Sequence, residues 1–146
     1  FGAVDADAAL TMLDSYTADS LGSRSITSFS DNESGTVGTL SDFNTGTVQL
    51  TNSTSGTAEF VRVKIGFTAS VPNSLGIILT SPSGTSSGIL QPRTNINTDP
   101  NGYVYLASSA FYGEDINGTW TLRVTDHDND GNQITFSIWA LQFYYR

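Results

Sequence analysis

The chain has 146 residues, with 14 Asp and Glu against 6 Lys and Arg, a formal net charge of −8, a single His and no Cys. The absence of Cys excludes disulfides, thiolate metal sites and cysteine nucleophiles. A surface this acidic repels phosphate, so neither nucleic acid nor an anionic membrane is an expected partner.

The length suits one domain with a core of its own. Phe1 to Leu13, FGAVDADAALTML, is the one stretch with helical character. Its apolar residues Val4, Ala8, Leu10 and Met12 and its several Ala suit a short N-terminal helix, and Asp5 and Asp7 lie where a helix dipole favours them. Such a helix is marginal alone and needs a surface to pack on. Residues 14–23 are polar and read as a linker, and residues 24–146 as the domain proper.

From Arg24 onward short strands alternate with turn chemistry. Strands are expected at Thr36 to Leu40, Thr47 to Thr51, Thr57 to Thr68, Leu75 to Thr80, around Ile89, Tyr103 to Leu106, Trp120 to Thr125 and Ile134 to Tyr145. Period-2 alternation sets Val61, Val63 and Ile65 on one side and Arg62 and Lys64, the only lysine, on the other. Trp120, Leu122 and Val124 form a second apolar row. Turns are expected at Asn44 to Gly46, Pro82 to Gly84, Asn101-Gly102, Asn117-Gly118 and Asp130-Gly131, where the residues tolerate positive φ. The fold class is therefore all-β: an antiparallel β-sandwich, a jelly roll of about eight strands, with a short N-terminal helix.

Asp126-His127-Asp128-Asn129-Asp130-Gly131-Asn132 is the sharpest chemical feature. Calcium takes six to eight hard oxygen ligands, and alternating Asp with Gly at the sixth place is one way a loop wraps it. Asp126, Asp128, Asp130 and Gly131 fit the first, third, fifth and sixth positions of an EF-hand loop, but the twelfth is Ser137 and no helices flank it. The pattern thus points either to a non-EF calcium loop through Asp126, Asp128 and Asp130 or to a hairpin turn closed by Asp, Asn and Gly. Asp31, Glu33 and Asp42 form a second acidic group, a candidate ion site or a solvated surface. His127, the only candidate base, has no nucleophile motif around it, so catalysis by this chain is not expected. Asn32, Asn52 and Asn117 begin N-x-Ser/Thr sequons, relevant only in a eukaryotic secretory route.

Several blocks resemble the P-domain that follows the catalytic domain in kexin- and furin-like subtilases. Leu75 to Thr80 followed by Ser81-Pro82-Ser83-Gly84-Thr85 is similar to a strand running into SPxGT. Phe111-Tyr112-Gly113-Glu114 and Asn117-Gly118-Thr119-Trp120 through Asp126 resemble the family's FWGE…GxWxLxVxD. Gly131 and Phe136 to Leu141, with Trp139, resemble its closing segment, and Asp31 to Gly35 is a weaker echo of its opening. FGAVDADAAL is similar to the last helix of a subtilase catalytic domain. Ser74 stands where the family has Asp, Tyr112 where it has Trp, and Phe67-Thr68 where a His is often found.

The resemblance implies a secreted, non-catalytic accessory domain packed on the catalytic domain of a subtilisin-like serine endopeptidase, supporting its folding, stability and calcium dependence. The catalytic residues would lie upstream. In physical terms the motif residues are structural. Ser81, Pro82, Gly84 and Thr85 make a tight turn, and Gly113 and Gly118 mark turns. Trp120 and Trp139 are expected to be core residues on paired strands, and Glu114 to bond loop amides. The alternative is a substrate- or polymer-binding module of the same protease, holding collagen-like or other insoluble substrate through Tyr103, Tyr105, Tyr112, Tyr144 and Tyr145.

Overall fold

A computed structural model describes residues 23–29, 33–34, 38–68, 72–98 and 102–146. Ten strands occur among them: β1 (Ser25–Ile26), β2 (Glu33–Ser34), β3 (Gly38–Leu40), β4 (Thr45–Asn52), β5 (Ala58–Thr68), β6 (Leu75–Thr80), β7 (Ser86–Leu90), β8 (Tyr103–Ser108), β9 (Gly118–Asp126) and β10 (Ile134–Tyr145). They form two antiparallel sheets. The first runs β1-β10-β5-β8, with β2 and β3 also pairing β10, and the second runs β4-β9-β6-β7. Counting the three short pieces on β10 as one edge gives eight strands, four per sheet. From β3 to β10 every connection changes sheet except β6 to β7, which is the wrapping of a jelly roll.

The interior follows from the alternation. Val61, Val63, Ile65, Phe136, Trp139, Leu141 and Phe143 of the first sheet face Leu50, Leu75, Ile77, Leu79, Trp120, Leu122 and Val124 of the second, all buried. Each such side chain contributes about 1.5–3 kcal/mol by leaving water. Phe111 and Phe143 flank the Trp120 ring, with centroids 5.0 and 5.1 Å away. Trp120 Nε1 donates to Ile116 O at 3.0 Å, so the indole is buried without losing its hydrogen bond.

Three expectations need correction. Trp120 and Trp139 are both core residues, but they lie on β9 and β10, in different sheets. The turn expected at Asn44 to Gly46 lies earlier: Asn44 N donates to Ser41 O at 3.0 Å, Phe43 takes a φ of 55°, and Gly46 is already in β4 opposite Val124. Asn52 is 2% exposed, its side chain bonding Thr54 and Ile116 O, so this sequon is a structural bridge. The N-terminal helix, most of the linker, Asn32 and Asn101 lie outside the described residues.

Candidate functional site

The family-motif turns at Ser81 to Thr85, Gly113-Glu114 and Gly118 converge at one end of the sandwich. In the β6–β7 turn, Gly84 N donates to Ser81 O at 3.0 Å and Ser81 N to Thr85 O at 2.9 Å, with Gly84 at a φ of 92°. Pro82 of this turn packs on Gly118, where an added Cβ would sit 2.7 Å from Pro82 Cβ. Gly118 also has a φ of 124°, so contact and backbone both demand glycine there. Gly113 N donates to Ala58 O at 2.9 Å, and Ala58 N donates to Glu114 O, tying the Phe111 to Glu114 corner to the start of β5. Glu114 accepts the Ala58 amide through its backbone carbonyl. Its Oε2 is buried without a hydrogen-bond partner among the described residues. Beside this corner, a pocket of about 330 Å³ is lined by Thr57, Ala58, Glu59, Tyr112 and Arg146, with Tyr112 70% exposed. Arg24, just before β1, and Arg146 at the chain end both pair with Glu59.

The acidic loop joins β9 to β10 at the opposite end of those strands. Asp126 is 1% exposed, its amide donating to Asn44 O at 3.0 Å and its Oδ1 accepting Asp128 N at 3.1 Å. Asp130 Oδ1 accepts Asn132 N at 2.9 Å, and the Asn132 side chain together with this amide holds the Asp130 carboxyl below its ordinary pKa. Asp42, from the loop between β3 and β4, reaches the same place. Its Oδ2 accepts Gly131 N at 3.0 Å, while Oδ1 is buried without a partner among the described residues. Asp42 therefore belongs beside the 126–132 loop; Asp31 and the Glu33 side chain lie outside the described part. Two of the three expected ligands spend an oxygen closing turns. The described residues hold no group of three or more His, Cys, Asp or Glu placed to grip a metal ion. As positioned, these carboxylates shape the loop through the backbone amides they accept.

The two outer faces differ sharply. On the β4-β9-β6-β7 sheet, hydroxyls pair across strands: Thr45 with Thr125 at 2.9 Å, Thr51 with Thr119 at 3.1 Å and Thr80 with Ser86 at 2.8 Å. On the other sheet the outward row is aromatic and cationic. The Arg62 guanidinium lies 5.6 Å from the Phe29 ring centre and 5.7 Å from that of Tyr105, and Lys64 Nζ is 4.2 Å from the Tyr103 ring. Arg62 also donates to Gln142 Oε1 at 3.1 Å, and Phe60 packs edge-on against Tyr144. Tyr105 is 44% exposed. Sequence reading picked out the tyrosines but missed Phe29, Phe60 and the two cations stacked on the rings. Their grouping depends on the register of β5 with β8 and β10.

Residues 58–143 match the family described as Proprotein convertase P-domain. No curated protein matches the chain. Among solved structures, the serine protease of Aeromonas sobria is similar, with a TM-score of 0.78 at 19% identity, covering 96% of this chain and 30% of the protease. The same protease in complex with the chaperone ORF2 gives 0.76 at 20% identity, covering 94% of this chain and 29% of that one. FLHE gives 0.55 at 12% identity, covering 84% of this chain and 97% of its own. The chain thus spans about 30% of the length of the Aeromonas protease it resembles.

Proposed function

Because the chain belongs to the proprotein convertase P-domain family, we propose that it is the non-catalytic accessory domain of a secreted subtilisin-like serine endopeptidase. Residues 1–13 are then the end of the catalytic domain and residues 14–23 the linker. The domain acts by burying surface against its catalytic neighbour, so the folded state of each raises the stability of the other. The observation that carries this reading is the outward aromatic and cationic face of β5, β8 and β10. Rigid rings with cations stacked on them are what contact surfaces favour, and they are not needed to keep a strand in solution. Ser23 and Arg24 lead directly into β1, on the edge of this same sheet, so a neighbour tethered upstream lies within reach of it.

The test is Tyr105→Ser made both in the isolated domain and in the full-length protease. The expected outcome is a melt of the isolated domain within a degree or two, since the ring is half exposed, but a clear loss of secreted yield and melting temperature in the parent. An unchanged parent would rule out this face as the contact. If the isolated domain is instead retained on insoluble collagen, casein or chitin, and Tyr105→Ser abolishes retention, the substrate-holding alternative takes precedence.

Calcium dependence is the finer part of the proposal. It is supported by the buried Asp126 carboxylate, which has no ion pair among the described residues, by the unpartnered Asp42 Oδ1 beside it, and by Asp128 and Asp130 in the same loop. A bound calcium ion would supply the positive charge this loop lacks, and only the folded loop would hold it. Melting in millimolar calcium should then exceed melting in EDTA at matched ionic strength. The difference should vanish when Asp126, Asp128 and Asp130 are all replaced by Asn. Equal melts for a metal-free sample would leave the loop as turn chemistry alone.

A further inference from the structure

The threonine-rich sheet carries one break in its pattern. At the Leu75 end of β6 a groove of about 330 Å³ opens on the outer surface, its lining including Gly76, Ile78, Gly88, Gln91, Pro92, Arg123, Thr125 and His127. Two glycines on adjacent strands form its floor. A Cβ at Gly76 would lie 2.7 Å from His127 Nε2, and one at Gly88 would lie 2.8 Å from Gln91 Nε2. Each missing side chain is therefore the seat of a nitrogen-bearing tip, and glycine at both places keeps those tips down on the sheet. Arg123, directly across from Ile78, adds a guanidinium from β9.

The rim is held by hydrogen bonds to backbone carbonyls. His127 N donates to Ser74 O at 3.0 Å, Arg93 N to Asn73 O at 2.5 Å, and Thr94 Oγ1 to Gln91 O at 2.7 Å. Arg93 takes a φ of 69°, an uncommon conformation for a non-glycine residue and one that turns the Gln91 to Thr94 segment back over the sheet. Among the described residues the lining has no Asp or Glu, in a chain whose net charge is −8. Among the described residues no ion pair or hydrogen bond engages the Arg123, His127 or Gln91 side-chain tips.

We propose that this groove binds the terminal carboxylate of a polypeptide. One permanent cation and two nitrogen tips match a single negative charge and its planar pair of oxygens. The acidic remainder of the surface disfavours a more highly charged anion such as phosphate. Ile78 and Pro92 supply apolar contact beside the donors. A chain end fits that arrangement because its last side chain is one carbon away from its carboxylate. The preset rim lowers the ordering cost of binding.

The probe is an N-acetylated tripeptide ending in leucine, as free acid and as C-terminal amide, compared at one pH and ionic strength. Binding is read from the Gly76 and Gly88 amide signals of the ¹⁵N-labelled chain. The free acid should shift both signals saturably, with the amide weaker by about 10-fold or more, as expected for losing a charged hydrogen bond. Arg123→Gln, at an exposed position, should keep the native melt and bind the free acid no better than the native chain binds the amide. Equal affinity for acid and amide, undiminished binding by Arg123→Gln, or no shift at about 10 mM peptide would overturn the proposal. An amidated peptide with an internal Glu that binds as well as the free acid would overturn the chain end as ligand, and so would equally tight binding of inorganic phosphate.

Discussion

The two outer faces of this sandwich rest on one interior and obey the same alternation, yet they are chemically opposite. The β4-β9-β6-β7 face pairs hydroxyl with hydroxyl, so most of its polar groups already have partners and gain little from a visitor. The β5-β8-β10 face presents Tyr103, Tyr105, Tyr144 and Phe60 around Arg62 and Lys64. Thr and Tyr are both good strand formers, so strand formation alone does not select between them. On the proposed function, the outward aromatic row is the contact surface and the outward threonine row the one left to water. Where the threonine row breaks, at Gly76 and Gly88, the second face also acquires a place to bind something.

That contrast can be broken or sharpened by substitution. The largest effect is expected in the interior that seats both faces. Trp120→Ala should cost about 3–5 kcal/mol in urea unfolding and disturb both outer faces together. A cost below about 1 kcal/mol would mean that the sheets are held apart from their shared core. Gly118→Ala should come next, at about 1–3 kcal/mol, because alanine meets both a φ of 124° and Pro82. A neutral result would show the Ser81 to Thr85 turn free to move away. On the faces themselves, Arg62→Ala should lose about 0.5–2 kcal/mol by removing the cation between two rings. Thr47→Ala on the opposite sheet should stay within about 0.5 kcal/mol of the native chain. Equal costs for these two would erase the distinction between the faces.

The smallest effect is acid sensitivity. Asp115 has its carboxyl pKa lowered by the amide of Asn117 and then by that of Gly56, and Asp130 by Asn132. A carboxyl lowered in the folded state stabilises above its unfolded pKa, and that stability is lost as pH falls through the folded value. Melts should therefore decline slightly as pH drops below the ordinary carboxylate value of 3.8, and Asp115→Asn should flatten that decline. Both groups are fully exposed, so a steep transition there would implicate other carboxylates.

Much of the sandwich was legible in the residues. β6 and β10 have the bounds expected of them because turn residues fall at their ends and apolar runs between. β1 and β2 were not foreseen, since two residues carry no periodicity. The turn before β4 was misplaced because Gly46 attracts a turn assignment by composition, while Phe43 takes the left-handed conformation instead. The acidic loop was readable as a local string, and Asp42 joins it only through the fold. The aromatic face needs residues from three strands and from the segment carrying Phe29. The groove glycines look like weak points in strands until His127 and Gln91 are seen resting on them.

The edge of the first sheet has a consequence for solubility. Against the twelve residues of β10, the described residues supply pieces of two, two and three residues, β1, β2 and β3. A long, flat outer strand offers its free backbone groups as a template to another molecule, and polymerisation can begin there. Among the described residues this edge is three short pieces and not one long strand. Edge pieces as short as the described ones are poor templates for strand-to-strand assembly.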